Sequence, residues 1–349
     1  NTMEQFNLLS RNIPKDNIHR YGDLLKQRMD AKYSGEEVAN IKGVEVPTYV
    51  MINGIKLPLN TKFGASGAQF NGLYDPRNQF LVCATGQLIM TNMYELIKGK
   101  AQFIQSNTDA HAYIPNSEAD DKAIDEALDE FANKIGLTLD KDMFREIWQK
   151  DVNNYIAVQP NGKVKVKGAI GLTGGMKVSK AIVSNAFINY LVAGKDYKEF
   201  INECNELRQF QIITKTGWTF DRTVARDSEG NEFNAQKVNR VFAVKDKTNA
   251  VELFKVKEGQ LLDIEADEFK DNISYTKGLA NAPEYYTISN EAIGEGITID
   301  EVDKQYYIDQ VEDTLELWFG ENWKERIEQA HHERELQGFK PVEVKNYID

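Results

Sequence analysis

The stretch Gln105-Ser106-Asn107-Thr108-Asp109-Ala110-His111-Ala112-Tyr113 decides how the chain is read. An apolar run, Ala101 to Ile104, leads into it, and alternating small and aromatic residues lead out. Asn107-Thr108 fall where the run breaks, which predicts a β-hairpin with Asp109 near its tip. A carboxylate on a tight turn between two strands is well placed to hold a metal ion. Asn and Asp are also ordinary turn residues, so the surrounding chain has to choose between these roles.

In the chain around this stretch, Asp75-Pro76 reads as an N-cap followed by proline at the first helical position. It opens a helix over 77–98 whose Phe80, Leu81, Ala84, Leu88, Met93, Leu96 and Ile97 are expected in the core, with Gly99 as the stop. A second helix over 119–135 carries Ile124, Leu128, Phe131 and Ile135 on a narrow apolar face and ends at Gly136. Residues 142–148, 153–158 and 163–168 read as strands, the last two joined across Pro160-Asn161-Gly162. Helices lying on one face of an antiparallel sheet make this region α+β.

Upstream, a helical pattern runs from Asp23 to about Tyr33, and Ser34-x-x-Glu37 suggests a restart or kink at Gly35. Gly43 and Pro47 mark a turn, and a second helix is expected over 48–63, kinked near Gly54 because Pro58 removes a hydrogen bond. On such a helical hairpin Arg28, Lys32, Lys56 and Asn60 lie at similar distances from the turn, placing three cations and an amide opposite one another. Lys56, Asn60 and Phe63 share one face. Gly64 to Gly67 and Asn71-Gly72 read as a loop. Beyond Gly168, Gly171, Gly174 and Gly175 suggest a linker, followed by helices near 178–194 and 196–209. A strand-rich part (210–256) and an irregular acidic part (257–297) come next. Thr298-x-x-Glu301 is expected to cap a long helix, and a charged helix over 322–337 follows it.

At 349 residues the chain has room for two or three domains. No apolar stretch is expected to reach the roughly 18 residues that span a bilayer. Cys83 and Cys204 sit in apolar helical patterns and read as buried free thiols of a reducing compartment. Four histidines, two of them the adjacent His331 and His332, do not form a convergent zinc site. A net charge of −12 excludes a protein that coats nucleic acid over its whole surface. Lys163, Lys165, Lys167, Lys177 and Lys180 instead form a local basic run suited to a defined channel. The acidic residues crowd 118–130, 258–271 and 295–321, and read as solvated faces.

Taken in order, these motifs resemble those of family B DNA polymerases of the bacteriophage type. Lys56-Leu57-Pro58-Leu59-Asn60-Thr61-Lys62-Phe63-Gly64 is similar to the motif B helix, K-L-x-x-N-S-x-Y-G, and Ser106 to Ala110 resembles motif C, D-T-D-S. Asn153-Asn154-Tyr155-Ile156 looks like the K-x-Y motif at the palm edge, followed by a basic strand, Lys163 to Gly168. Arg28-x-x-x-Lys32 resembles the triphosphate-gripping cations of the first fingers helix. Gln236 to Arg240 and Lys304 to Ile308 resemble the thumb of bacteriophage members. The resemblance implies a polymerase right-hand fold: fingers over 1–63, palm over 64–168 and thumb over 169–349.

The implied activity is DNA-templated DNA synthesis, with two Mg²⁺ ions stabilising the attacking and leaving oxygens of an in-line nucleotidyl transfer. Asp109 would be the metal-binding, catalytic carboxylate. Arg28, Lys32, Lys56, Asn60 and Phe63 would bind the incoming deoxynucleoside triphosphate. Thr108, Lys150, Tyr155, Lys163, Lys165 and Lys167 would contact the primer-template DNA. The implied setting is the cytoplasm of a bacterial host, with no membrane partner.

The sequence departs from the family at four places. Asn107 replaces the first carboxylate of motif C, Asn153 stands in place of a lysine, and Phe63 replaces a tyrosine. The motif D-x-x-S-L-Y-P, which carries the other metal-binding aspartate, does not occur in these residues, nor does an exonuclease domain. The expectation is therefore that an N-terminal portion or a separate subunit completes the site. The alternatives are a non-catalytic, polymerase-derived DNA-binding subunit and an RNA-templated relative.

Overall fold

The computed structural model describes residues 8–41, 43–170, 179–263, 268–291, 295–342 and 344. The linker glycines 171, 174 and 175, and Lys177, lie outside the described residues. The fold is α+β, built from eight α-helices and several small antiparallel sheets among those residues. The chain divides into two compact units, Asn1–Asp142 and Met143–Asp349. This division describes compactness, and it cuts the chain differently from the fingers, palm and thumb segments implied by the resemblance.

In the first unit, α1 (Ile18–Tyr33) and α2 (Thr48–Gly67) pack against each other. A hairpin, β1 (Val38–Ile41) and β2 (Val44–Pro47), joins them in a register that pairs Val38 with Pro47. The expected helix restart at Ser34 does not occur. Gly35 adopts a φ of +71°, which turns the chain out of α1, and the Ser34 hydroxyl donates back to Ala31 O at 3.1 Å. Nor does α2 end at Phe63, because Ser66 Oγ bonds Phe63 O at 2.6 Å and the expected loop at Gly64–Gly67 is the last helical turn. Pro58 lies inside α2, where solvent can reach the exposed Gly54 carbonyl that loses its donor.

The helix α3 (Pro76–Ile97) starts as expected, with Asp75 accepting from Asn78 N at 3.3 Å and Pro76 at the first position. Its burial differs from expectation. Met93 and Ile97 are buried at the C-terminal end, whereas Phe80 is 70% exposed and Leu88 is exposed as well. By length and composition alone α3 could cross a membrane, which corrects the expectation that no stretch approaches this; core helices pass the same test. The hairpin of β3 (Ala101–Asn107) and β4 (Ala110–Pro115) follows, with a bulge between Phe103 and Gln105. Helix α4 (Glu118–Ile135) is capped by Ser117 and stopped by Gly136, in the left-handed conformation, and its Ile124 is fully buried.

The second unit is organised around α5 (Ala181–Ala193), an apolar helix buried on nearly all sides. Against it lie α6 (Tyr197–Glu203), α7 (Lys304–Phe319) and α8 (Trp323–Leu336). Three sheets share the unit. The first has the order β5 (Glu146–Asp151), β6 (Asn154–Val158), β7 (Val164–Lys167). The second contains β8 (Ile212–Lys215), β11 (Val238–Ala243) and β14 (Tyr286–Ile288), with β11 central. The third runs β10 (Glu232–Ala235), β9 (Arg222–Asp227), β12 (Val251–Asp263), β13 (Glu268–Lys277). Buried Tyr307 ties the core together, donating to Phe210 O at 2.6 Å and accepting from Ala243 N at 3.3 Å. Arg334 and His331 of α8 hydrogen-bond the last carbonyls of α5, Val192 O and Leu191 O, each at 2.8 Å.

Three further expectations are corrected. The supposedly irregular 257–297 contains the long β12–β13 ribbon, paired from Phe254–Lys277 to Asp263–Glu268. The Thr298–Glu301 capping box closes a short 3₁₀ turn, and α7 begins one turn later under Asp303. Both cysteines are free, but Cys83 is exposed and Cys204 half-buried, so neither sits in a helical core.

Candidate nucleotide and nucleic-acid sites

The turn between β3 and β4 consists of Thr108 and Asp109, closed by the Asn107–Ala110 pair. Asn107 Oδ1 accepts from Thr108 N at 2.8 Å and from Thr108 Oγ1 at 3.1 Å, so the amide is used in shaping the turn. Asp109 is exposed at its tip. Behind it, His111 Nε2 bonds Met90 O at 2.9 Å and the ring packs edge-on to Phe103, seating the hairpin on α3. Among the described residues, no group of three or more His, Cys, Asp or Glu side chains comes together as a metal cage. A single carboxylate does not fit a pair of Mg²⁺ ions, and no metal-dependent step follows from this chain's residues alone.

In the same unit the helical pair carries the expected nucleotide-binding residues. Lys56 and Asn60 are exposed on α2, with no hydrogen-bond or ion-pair partner among the described residues, and Phe63 is half-buried. Arg28 is half-buried on α1, and its Nε lacks a hydrogen-bond partner. Lys32 is engaged: its ammonium lies 2.9 Å from Asp140 and 3.1 Å from Tyr33 OH. The Lys32 hydrogen bond holds the Asp140 carboxyl below its ordinary range, and Asp140 in turn raises the Lys32 ammonium. Asp140 is far away in sequence, and nothing in the residue pattern signalled this pairing.

The face of α2 away from Lys56 carries a second polar centre that sequence reasoning missed. Lys62 is 7% exposed and donates to Leu8 O at 3.1 Å and Asn78 Oδ1 at 3.0 Å. Burial pushes its ammonium down to about 8, partly opposed by Asp75. Asp75, 3% exposed, accepts a guanidinium fork from Arg11 at 3.1 and 3.0 Å and Arg11 N at 3.0 Å. The network fastens residues 8–12 to the start of α3 and sets the base of α2. Its signal in the sequence was Asp75-Pro76, read only as a cap.

In the second unit, β6 and β7 place Tyr155, Lys165 and Lys167 on one sheet face, because Tyr155 pairs with Lys167 and Ala157 with Lys165. Val164 and Val166 point the other way and pack on the core. Lys167 lies over the Tyr155 ring at 5.7 Å and Lys165 over Phe144 at 5.7 Å. Lys163 and Lys150 are exposed, Lys150 being the bulged residue between Gln149 and Asp151. Gly168 has a φ of +95° and packs against Asn153 O and the Asn154 side chain, leaving no room for a Cβ. Lys180, the last of the basic run, is half-buried and bonds Gln310 Oε1 at 2.8 Å, so it belongs to the core margin.

No protein-family model matches the chain, and no curated protein matches it in sequence.

Proposed function

We propose that this chain supplies the fingers, palm and thumb of a family B type, DNA-templated DNA polymerase whose active site is completed by another polypeptide segment. The observation that carries the reading lies within the first unit. A packed helical pair carries Arg28, Lys32, Lys56 and Asn60, and a two-residue turn farther along presents Asp109. Cations and an amide on paired helices suit a triphosphate, and an exposed carboxylate on a stiff hairpin suits a metal-bound phosphoryl group. The β5–β7 sheet, with Tyr155, Lys165 and Lys167 on one face, suits backbone contacts to a duplex without sequence readout.

The need for a second polypeptide rests on the lone carboxylate. It gains support from the β3–β4 sheet, which has only two strands among the described residues and so leaves edges on which a further strand can pair. The test is Mg²⁺-dependent primer extension. The chain alone is expected to be inactive, and to extend primers when combined with an upstream or adjacent-frame product carrying D-x-x-S-L-Y-P. Asp109→Ala should abolish that extension. Robust extension by the isolated chain, lost on Asp109→Ala, would overturn the requirement for a second polypeptide. A second reading, a non-catalytic DNA-binding subunit, is favoured by Asn107 and Asn153, and it predicts DNA binding without extension in every combination.

A further inference from the structure

We propose that the turn between β8 and β9 is a stacking platform for single-stranded nucleic acid, with Trp218 as the stacking ring and Lys215 and Lys237 as its phosphate contacts. Trp218 is 92% exposed, whereas Trp148 and Trp323 are buried and Trp318 is half-buried. An indole left almost wholly in water forgoes the burial that makes tryptophan favourable elsewhere.

The backbone of the turn that carries the ring is held by hydrogen bonds. Phe220 N donates to Gly217 O at 3.2 Å, closing the turn, and Asp221 N donates to Val256 O at 2.9 Å. Beneath it, the buried Thr223 and Thr216 hydroxyls are joined at 2.7 Å, and Thr216 N donates to Lys237 O at 2.7 Å. The platform is therefore pre-organised, so a partner would meet little ordering cost on this side.

Charge selects the partner. Lys237 Nζ donates to Phe220 O at 3.2 Å, which seats its ammonium on the turn itself. Lys215 precedes Trp218 by one short segment and pairs in register with Val238, beside Lys237. Of the neighbouring acids, Glu258 pairs with Arg222 at 2.7 Å and Asp221 accepts from Glu258 N at 2.7 Å. An exposed aromatic ring on a turn whose flanking strands carry Lys215 and Lys237 fits an unpaired base with its neighbouring phosphates. A duplex offers no free base face to such a ring. The inference rests on the reading of the chain as template-handling, since a polymerase exposes single-stranded template ahead of synthesis.

The experiment uses the full chain and a short oligothymidylate without Mg²⁺, reading tryptophan emission and acrylamide quenching. Binding is expected to quench the emission and to shield the exposed tryptophan. Trp218→Phe should remove that signal, and Trp218→Ala should weaken binding on the order of tenfold while leaving the thermal unfolding midpoint unchanged. The Lys215→Gln, Lys237→Gln double variant should flatten the dependence of log affinity on log salt by about 1.4. Unchanged affinity in Trp218→Ala, or a Trp218 that stays open to acrylamide in the oligonucleotide complex, would overturn the inference. Failure here leaves primer extension intact. Protection of Trp218 with no extension in any combination would instead retire the polymerase reading and keep the platform.

Discussion

Replacing Lys62 with methionine removes an ammonium that is buried between α2 and the start of α3. Its ordinary value is 10.5, and burial brings it to about 8 in the folded protein. Between those two values the unfolded chain holds a proton that the folded chain has released, so stability rises with pH across this window. From pH 7 to pH 9.5 the gain from this one group is about 2 kcal/mol, and it approaches about 3 kcal/mol above the unfolded value. Lys62→Met abolishes the gain, although it also leaves Asn78 Oδ1 without its donor and so lowers stability by a roughly constant amount at all pH values. The assay is urea unfolding at pH 7 and pH 9.5 for both proteins, followed by far-ultraviolet circular dichroism. All four tryptophans, at 148, 218, 318 and 323, belong to the second unit, so their emission reports that unit separately. The quantity compared is the difference between wild type and variant, which cancels other groups that titrate in the same range. A difference that stays constant with pH, or moves the other way, would refute the assignment of Lys62 as a buried, destabilised cation.

Asp75→Asn should keep the cap on Asn78 but lose the Arg11 fork, lowering the stability of the first unit at pH 7 by about 2 kcal/mol. Hydrogen bonds from Arg11 hold the Asp75 carboxyl well below the usual carboxylate range. Its contribution is therefore complete above about pH 4 and lost as pH falls toward that depressed value, so the variant's acid limb should be shallower in urea titrations. Asp140→Asn releases Lys32 and should tighten deoxynucleoside triphosphate binding roughly twofold to fivefold in equilibrium titrations, a small effect because both groups are exposed. Gly168→Ala should destabilise the second unit by upwards of about 1 kcal/mol, read as a lower urea midpoint in tryptophan emission, since alanine meets both a positive φ and the Asn153 carbonyl.

Local signals were legible wherever a single short-range interaction sets the structure. Asp75-Pro76 and Gly136 each mark a helix boundary, by side-chain capping and by a left-handed residue, and both boundaries are present. The hairpin that presents Asp109 was legible because a break between alternating runs leaves few other foldings. Strands β6 and β7, joined across Pro160-Asn161-Gly162, were legible as strands, and their pairing turns the valines inward and Tyr155, Lys165 and Lys167 outward. Reading failed where chemistry of similar appearance has two outcomes. Ser34-x-x-Glu37 could cap a helix, but a positive φ at Gly35 starts a hairpin instead. The acidic 257–297 segment looked irregular because cross-strand pairing is non-local, and charged residues exposed on both faces of a ribbon hide its alternation.

Sequence by itself determined the α+β class, the capped helices and the motif order that places Asp109 on a turn and cations on paired helices. Tertiary structure decided which charges are free. Lys56 and Lys62 lie close together on one helix, yet one is exposed and the other is buried against Leu8 and Asn78. Lys32 is held by Asp140, and Trp218 is left in water by a turn pinned from beneath. Such differences arise from contacts between residues far apart in the chain, where desolvation and pairing energies are set by packing that no local pattern encodes.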